Sequence, residues 1–205
     1  MSFLKKYIIQ LLYKILHSNA YKQYKQSRDN SWAKASFKSF GTNSNLPELS
    51  HIKNPQYISI GDGFRSLFNL RLEAWDQFQE QKFSPEIIIG DNVIFNSDVH
   101  IGAINKIIIG NNVLMASRIY ISDHSHGAVN NEDLQKIPSE RPLYSKGNVE
   151  IMDNVWVGEG VCILPGVSIG KNSIIGANSV VNRSFPDNSV IAGIPAKLIK
   201  TLSNE

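Results

Sequence analysis

The stretch Asn154-Val155-Trp156-Val157-Gly158-Glu159-Gly160-Val161-Cys162-Ile163-Leu164-Pro165-Gly166-Val167-Ser168-Ile169-Gly170 keeps a six-residue beat. Val157, Ile163 and Ile169 mark it, and it extends back to Ile151 and on to Ile175 and Val181. Four residues after each anchor stands a smaller inward candidate: Val155, Val161, Val167, Ser173 and Ser179. Six is not a multiple of 3.6, so the pattern is not an α-helix. It fits short strands joined by turns, which Val157-Gly158, Ile169-Gly170, Ile175-Gly176 and the pair Asp153-Asn154 supply. A fixed period of this kind is the signature of a solenoid whose stacked coils share one apolar core.

Upstream the same beat runs through Ile89, Phe95 and Ile101, then Ile109, Met115 and Ile121. The second series continues as Val93, Val99, Val113, Ile119 and Ser125. Two lapses interrupt it. Ile101 to Ile109 includes a two-residue bulge around Ala103-Ile104-Asn105-Lys106. After Asp123-His124-Ser125-His126 the beat vanishes until Val149, so residues 127–148 form an excursion loop. A loop of that length inside a compact repeat is usually functional. Residues 64–84 read as an earlier charged and aromatic excursion with Arg71, Glu73, Trp75 and Asp76, following an isolated first turn at Ile58-Ser59-Ile60-Gly61. Pro186 ends the beat.

The expected organisation is therefore residues 1–57 as an N-terminal helix and connecting segment, 58–186 as the solenoid, and 187–205 as a tail. Phe3, Leu4, Tyr7, Ile8, Leu11, Leu12, Ile15 and Leu16 recur at helical spacing and predict an amphipathic helix over 3–26. Lys14 interrupts its apolar run and no small-residue cleavage site follows, so it does not read as a signal peptide. The net charge is +3, but residues 1–38 hold eight Lys or Arg against Asp29 alone. Such a helix either packs on the main domain or a sister subunit, or lies on an anionic membrane surface. Cys162 is the only cysteine; it excludes an intrachain disulfide and suits a reducing cytoplasm. Residues 39–57, rich in Ser, Asn, Gly and Pro, read as irregular connection.

The 154–170 phrase, Ile175-Gly176 and the ending Ala192-Gly193-Ile194-Pro195-Ala196-Lys197 resemble the hexapeptide-repeat acyltransferases. The resemblance is close over 85–200 and loose over 58–62. Leu72-Glu73-Ala74, Phe83-Ser84-Pro85-Glu86-Ile87, His100-Ile101 and Asp123-His124-Ser125-His126-Gly127 are similar to the branch that O-acetylates bacterial surface polysaccharides and lipopolysaccharides. It implies an all-β left-handed parallel β-helix with three hexads per triangular coil. It also implies a homotrimer, acetyl-CoA as acyl donor bound between neighbouring β-helices, a carbohydrate acceptor, and placement in the cytoplasm or at the inner face of the membrane.

Transfer to a sugar hydroxyl needs a base near neutrality, and imidazole suits that task. His124, before the excursion loop, matches the family's catalytic His. With Ser125 taken as inward-facing, His124 is expected to point outward. Asp123 is not expected to orient it, since neighbours on an extended segment point apart. The expected acceptor-binding residues are Asn96, His126, Trp156 and Glu73, with Trp75 beside Glu73. Those expected to hold the cofactor are Trp156, Gly158, Gly176, Ala177, Arg183, Lys197 and Lys200. Gly158, Gly176 and Ala177 would admit the pantetheine arm, and the three cations would meet phosphates.

Competing readings are an acetyltransferase for another small hydroxyl or amine, an inactive β-helix scaffold, and a γ-carbonic-anhydrase-like enzyme built on His100, His124 and His126. The last lacks that family's His spacing, so no metal is expected. No nucleotide-binding glycine motif, metalloprotease motif or basic aromatic nucleic-acid face is present in the sequence.

Overall fold

Eighteen residues, or three hexads, separate Trp156 from its ladder partner Ile174, and Cys162 from Val180. Each regular turn of the chain therefore lays one strand on each of three faces. A computed structural model describes residues 3–18, 21, 31–47, 50–128 and 130–202. Face I joins Ser39–Phe40, Ile58–Ile60, Glu86–Ile89, Lys106–Ile109, Val149–Ile151 and Ser168–Ile169 in parallel. Face II joins Arg65–Ser66, Ile94–Phe95, Leu114–Met115, Trp156–Val157, Ile174–Ile175 and Ser189–Gly193, closed by the antiparallel Ala196–Thr201. Face III joins His51–Lys53, Arg71–Ala74, His100–Ala103, Tyr120–Ser122, Cys162–Ile163 and Val180–Val181. The protein is a left-handed parallel β-helix.

The anchors fill its axis: Ile89, Phe95, Ile101, Ile109, Met115, Ile121, Ile151, Val157 and Ile163 are all within 1% of complete burial. Burying each aliphatic side chain contributes roughly 1.5–3 kcal/mol. Ser173 and Ser179 also face inward, and their hydroxyls find backbone partners. Ser173 Oγ accepts from Ser189 N at 3.1 Å, and Ser179 Oγ donates to Gly176 O at 2.6 Å. Ser125 does not join this series. It is exposed, because the chain leaves the coil two residues earlier.

The corner from face I to face II is uniform. Asn92, Asn112, Asn154, Asn172 and Asn188 all take left-handed φ between 54° and 61°, which Asn tolerates better than most residues. Their amides form a ladder, with Asn112 Nδ2 donating to Asn154 Oδ1 at 3.1 Å and Asn154 Nδ2 to Asn172 Oδ1 at 3.0 Å.

Three expectations are corrected. The connection over 39–57 is partly coil: Ser39–Phe40 pairs with face I, and His51–Lys53 pairs with Arg71–Ala74. Residues 64–74 are coil rather than excursion, with Phe64, Leu70 and Leu72 in the core. Only 75–85 departs, through the antiparallel hairpin Gln77–Phe78 and Gln81–Lys82. Nor does the stack stop at Pro186, since Ser189–Gly193 pairs with Ile174–Ile175. In each case the strands pair through backbone groups while the sequence lacks the Ile-Gly cue.

The N-terminal helix is described over Phe3–Leu16; residues 19–20 and 22–26 of the expected 3–26 lie outside the described residues. Tyr7, Ile8, Leu11, Leu12, Ile15 and Leu16 are between 46% and 59% exposed. No helix among the described residues is long and apolar enough to cross a membrane.

Candidate active site

Side chains alternate along a strand, so face III presents two outward columns separated by the inward row of partly buried Ile52 and buried Leu72, Ile101 and Ile121. One column is His51, Arg71, His100, Tyr120 and Cys162; the other is Lys53, Glu73, Gly102 and Ser122. All three departures from the coil, at 75–85, 103–106 and 123–148, leave from the corner after face III. The middle of both columns, the 75–85 hairpin and the 123–148 loop line a cleft of about 610 Å³.

His124 lines this cleft. Ser122 Oγ accepts from His124 N at 3.2 Å and donates to His124 O at 2.9 Å. This small turn removes the extended geometry that would keep neighbouring side chains apart. Asp123 therefore swings inward to complete burial, and its Oδ1 lies 2.9 Å from His124 Nδ1. The expectation that Asp123 would not orient the imidazole is corrected. Asp123 is itself pinned, Oδ1 accepting from Ile104 N at 2.9 Å and Oδ2 from Asn105 N at 2.8 Å. The two-residue bulge at 103–106 thus supplies the donors that fix the carboxylate. With Nδ1–H held by the Asp123 oxygen, the tautomer so fixed keeps its lone pair on Nε2. Nε2 has no hydrogen-bond partner among the described residues.

A second carboxylate lies across the cleft floor. Glu73 is 3% exposed, and its Oε1 meets Arg71 at 2.9 Å and His51 Nε2 at 3.1 Å. Its Oε2 meets His100 Nε2 at 3.2 Å. Burial pushes the Glu73 carboxyl up, but the hydrogen bond and charge of Arg71, with the hydrogen bond from His100, outweigh it and hold the group below the usual range. Burial and then the Arg71 charge push the His100 imidazole below its ordinary value, against the opposing pull of Glu73. His100 is thus a neutral ring donating from Nε2.

Aromatic and loop groups make the wall. Lys53 Nζ sits 3.0 Å from the Trp75 ring centroid, and Phe78 meets Trp75 edge-on at 6.4 Å and His126 at 5.3 Å. Gln81 clamps the hairpin to the long loop, donating to Leu143 O at 3.1 Å and accepting from Leu143 N at 2.7 Å. The loop is tied to itself by Ser125–His126 pairing with Leu143–Tyr144 and by Asp133 Oδ2, which accepts from Ala128 N at 2.7 Å.

Of the residues expected in the site, His124, His126 and Glu73 line this cleft, with Trp75. Glu73 is saturated by its own neighbours, so it organises the floor rather than offering a free carboxylate. Asn96 and Trp156 do not join them within one chain. Asn96 follows the Ile94–Phe95 strand, and Trp156, 51% exposed, stands on face II. Gly158, Gly176 and Ala177 share the corner from face II to face III. A Cβ at Gly158 would meet Ala177 N and Ile175 O at 2.7 Å, so contact between coils already requires that glycine. Lys197 and Lys200 lie on the exposed closing strand, and the Arg183 guanidinium stands 5.2 Å from the Phe185 ring. Cys162 is half-buried and its thiol is pushed up by burial, which disfavours a nucleophilic thiolate. Among the described residues no three His, Cys, Asp or Glu side chains are placed to hold a metal ion.

Sequence reasoning missed Arg71 and Ser122 as site residues and considered His100 only as a metal ligand. Arg71 and His100 are ladder partners 29 residues apart, across a hairpin whose length no repeat predicts.

Residues 148–183 match the bacterial transferase hexapeptide model of six repeats. WbbJ of Escherichia coli strain K12, named as a lipopolysaccharide biosynthesis O-acetyl transferase, is 40% identical over 158 residues, covering 76% of this chain and 77% of WbbJ. The chain belongs to the hexapeptide-repeat acyltransferase family. Among solved structures, the Bacillus cereus N-acyltransferase AntD, in complex with dTDP and 3-hydroxybutyryl-CoA, shares the fold with a TM-score of 0.65. Identity there is 21%, over 84% of this chain and 87% of AntD. A galactoside acetyltransferase in complex with coenzyme A matches with a TM-score of 0.54 and 29% identity, over 95% of this chain and 78% of that one. This hexapeptide acyltransferase thus carries its imidazole–carboxylate pair at a corner of an otherwise regular β-helix.

Proposed function

We propose that this acyltransferase moves an acetyl group from acetyl-CoA to a sugar hydroxyl of a lipopolysaccharide or other surface-polysaccharide precursor, with His124 as general base. The observation that carries the reading is His124 itself: Nδ1 is fixed to a buried carboxylate, and Nε2, without a partner among the described residues, lies in a cleft. Nε2 takes the hydroxyl proton as the oxygen attacks the thioester carbon. Asp123 steadies the imidazolium that forms. The tetrahedral intermediate then collapses, the carbon–sulfur bond breaks, and the CoA thiolate takes the proton back from Nε2. The aromatic wall of Trp75 and Phe78 suits the apolar face of a sugar ring. The O-acetyl reading, rather than transfer to an amine, rests on the 40% identity to WbbJ.

Acetyl-CoA would run along the corner carrying Gly158, Gly176 and Ala177, with Arg183, Lys197 and Lys200 near its phosphates. Asn96 and Trp156, one face away from His124, would complete the site on a neighbouring protomer of a homotrimer. The basic N-terminal helix would hold the enzyme on the inner face of the membrane, close to a lipid-linked acceptor. Its exposed apolar side chains and Lys5, Lys6 and Lys14 support that contact.

The test is thiol release from acetyl-CoA in the presence of de-O-acetylated lipopolysaccharide or glycoside acceptors. His124→Ala is expected to cut turnover by on the order of 10²- to 10⁴-fold with the oligomer intact. Near-normal turnover by that variant would sink the assignment. Removing residues 1–26 is expected to abolish cosedimentation with anionic vesicles and spare turnover on soluble acceptors; retained vesicle binding would refute the membrane role.

A further inference from the structure

Gly102 occupies a gap in the outward column, between Glu73 and Ser122. Its missing side chain leaves room between two rings. A Cβ there would stand 3.5 Å from His124 Cε1 and 3.8 Å from His100 Nε2. Two imidazoles therefore converge on one small space, each backed by a buried carboxylate: Asp123 behind His124 and Glu73 behind His100. One carboxylate–imidazole pair suffices to activate a hydroxyl, so the second pair needs its own explanation.

Chemistry separates their roles. His124 offers a lone pair at Nε2. His100, a neutral ring facing an ionised Glu73, presents Nε2 as a donor. Its bond to Glu73 is 3.2 Å, long for a charge-assisted contact, which usually spans about 2.7–2.9 Å. That N–H remains available to share with a second acceptor. A donor placed on the attacking oxygen would withdraw charge from it and slow attack. It therefore serves a neighbouring oxygen.

We infer that the acceptor sits over Gly102 as a vicinal diol, one hydroxyl on His124 Nε2 for reaction and the adjacent oxygen on the N–H of His100, with Glu73 as the positioning residue behind His100. The inference rests on the role proposed above for His124 and adds the acceptor's local geometry. It explains why Glu73 is buried under three partners: ionised, it fixes the His100 proton on Nε2, while Arg71 and His51 occupy its other oxygen. It also makes Gly102 a size filter. Nothing in the backbone requires glycine there, since the added Cβ meets only ordinary contacts. The space is needed by something other than the fold.

The test uses the full chain, acetyl-CoA, methyl glycosides and their monodeoxy analogues, each lacking one hydroxyl. Gly102→Ala is expected to fold with an unchanged melting temperature and an acetyl-CoA KM within about twofold, yet to lose about 100-fold in kcat/KM for the glycoside. His100→Ala is expected to lose roughly 10- to 100-fold in glycoside kcat/KM and to erase the preference for the glycoside over the analogue lacking the adjacent hydroxyl. Glu73→Gln should lower glycoside kcat/KM in the same way while acetyl-CoA KM holds. Wild-type acceptor kinetics in Gly102→Ala, or retained deoxy discrimination in His100→Ala, overturns the inference. If Gly102→Ala fails to fold, the discrimination ratio of His100→Ala decides alone. An inert His124→Ala beside fully active His100 and Gly102 variants would leave the general-base reading standing and remove only this one. An active His124→Ala would remove the general-base reading and, with it, this one.

Discussion

Two corners of the same triangle were built to different ends. From face I to face II, five coils turn on the same left-handed Asn, and each amide reaches the next. From face III to face I the chain departs three times, and every departure serves the cleft, by lining it or by holding a residue behind it. The hairpin after Ala74 supplies Phe78 and Gln81. The bulge after Ala103 supplies the two N–H groups that hold Asp123. The loop after Ser122 begins with Asp123 and His124. A uniform corner has no freedom to place a unique side chain, because every coil needs the same turn. An irregular corner has that freedom, and the regular stack on the other side keeps it from costing the fold.

This contrast predicts that perturbing one corner hits activity and perturbing the other hits stability. The largest effect is expected at Asp123. In Asp123→Asn an amide replaces the oxygen facing either His124 Nδ1 or a backbone N–H. An amide donor toward Nδ1 would move the proton to Nε2 and disable the base. Turnover should fall by about 100-fold or more, and the buried mismatch with Ile104 N or Asn105 N should cost about 1–3 kcal/mol. Steady-state kinetics and denaturant melts check the two parts. Wild-type turnover would show that the irregular corner does not set the imidazole.

How much of this was legible follows from the same contrast. The six-residue beat announces the coils between Ile87 and Val181, because each anchor must reach the axis. It is silent where backbone pairing alone continues the stack, as at Ser39–Phe40 and His51–Lys53. It places His124 beside the lapse, yet gives the inward position to Ser125 when Asp123 holds it. The cause is local: the Ser122 hydroxyl bonds both the N–H and the carbonyl of His124, turning the chain out of the coil two residues before Ser125. Glu73, Arg71 and His100 come together through ladder register across an eleven-residue departure at 75–85. A period of six carries no information about that length.

At the regular corner the expected effect is smaller and of the other kind. Asn154 sits at φ 60° and links Asn112 to Asn172. Asn154→Ala should lose about 1–2 kcal/mol, from a Cβ forced into left-handed backbone without the amide's local support. That corresponds to a melting shift of roughly 2–8 °C. Asn154→Gly relieves the backbone and loses only the exposed ladder bonds, so it should recover most of the loss. Turnover should be unchanged in both. A variant that melts normally but turns over poorly would break the division between corners.

The smallest effect is on acid stability, and it separates the corners without a mutation. In the unfolded chain His100 takes up a proton near its ordinary 6.5, whereas in the fold burial and Arg71 keep it neutral to lower pH. The unfolded state then binds more protons, so stability is lost as pH falls below about 6.5. Glu73 repeats the pattern lower down: its unfolded carboxyl protonates near 4.5, while Arg71 and His100 keep the folded one ionised despite burial. Asp153, at the Asn corner, is held low by the backbone N–H of Asn111 and titrates only below its ordinary 3.8. The lowered His100 therefore predicts a loss between pH 6.5 and 5 on the site side of the triangle. His100→Gln should flatten the melting temperature across that window and leave the steeper fall below pH 4.5 in place. An unchanged slope in His100→Gln would move the early acid sensitivity away from the Glu73–His100 pair.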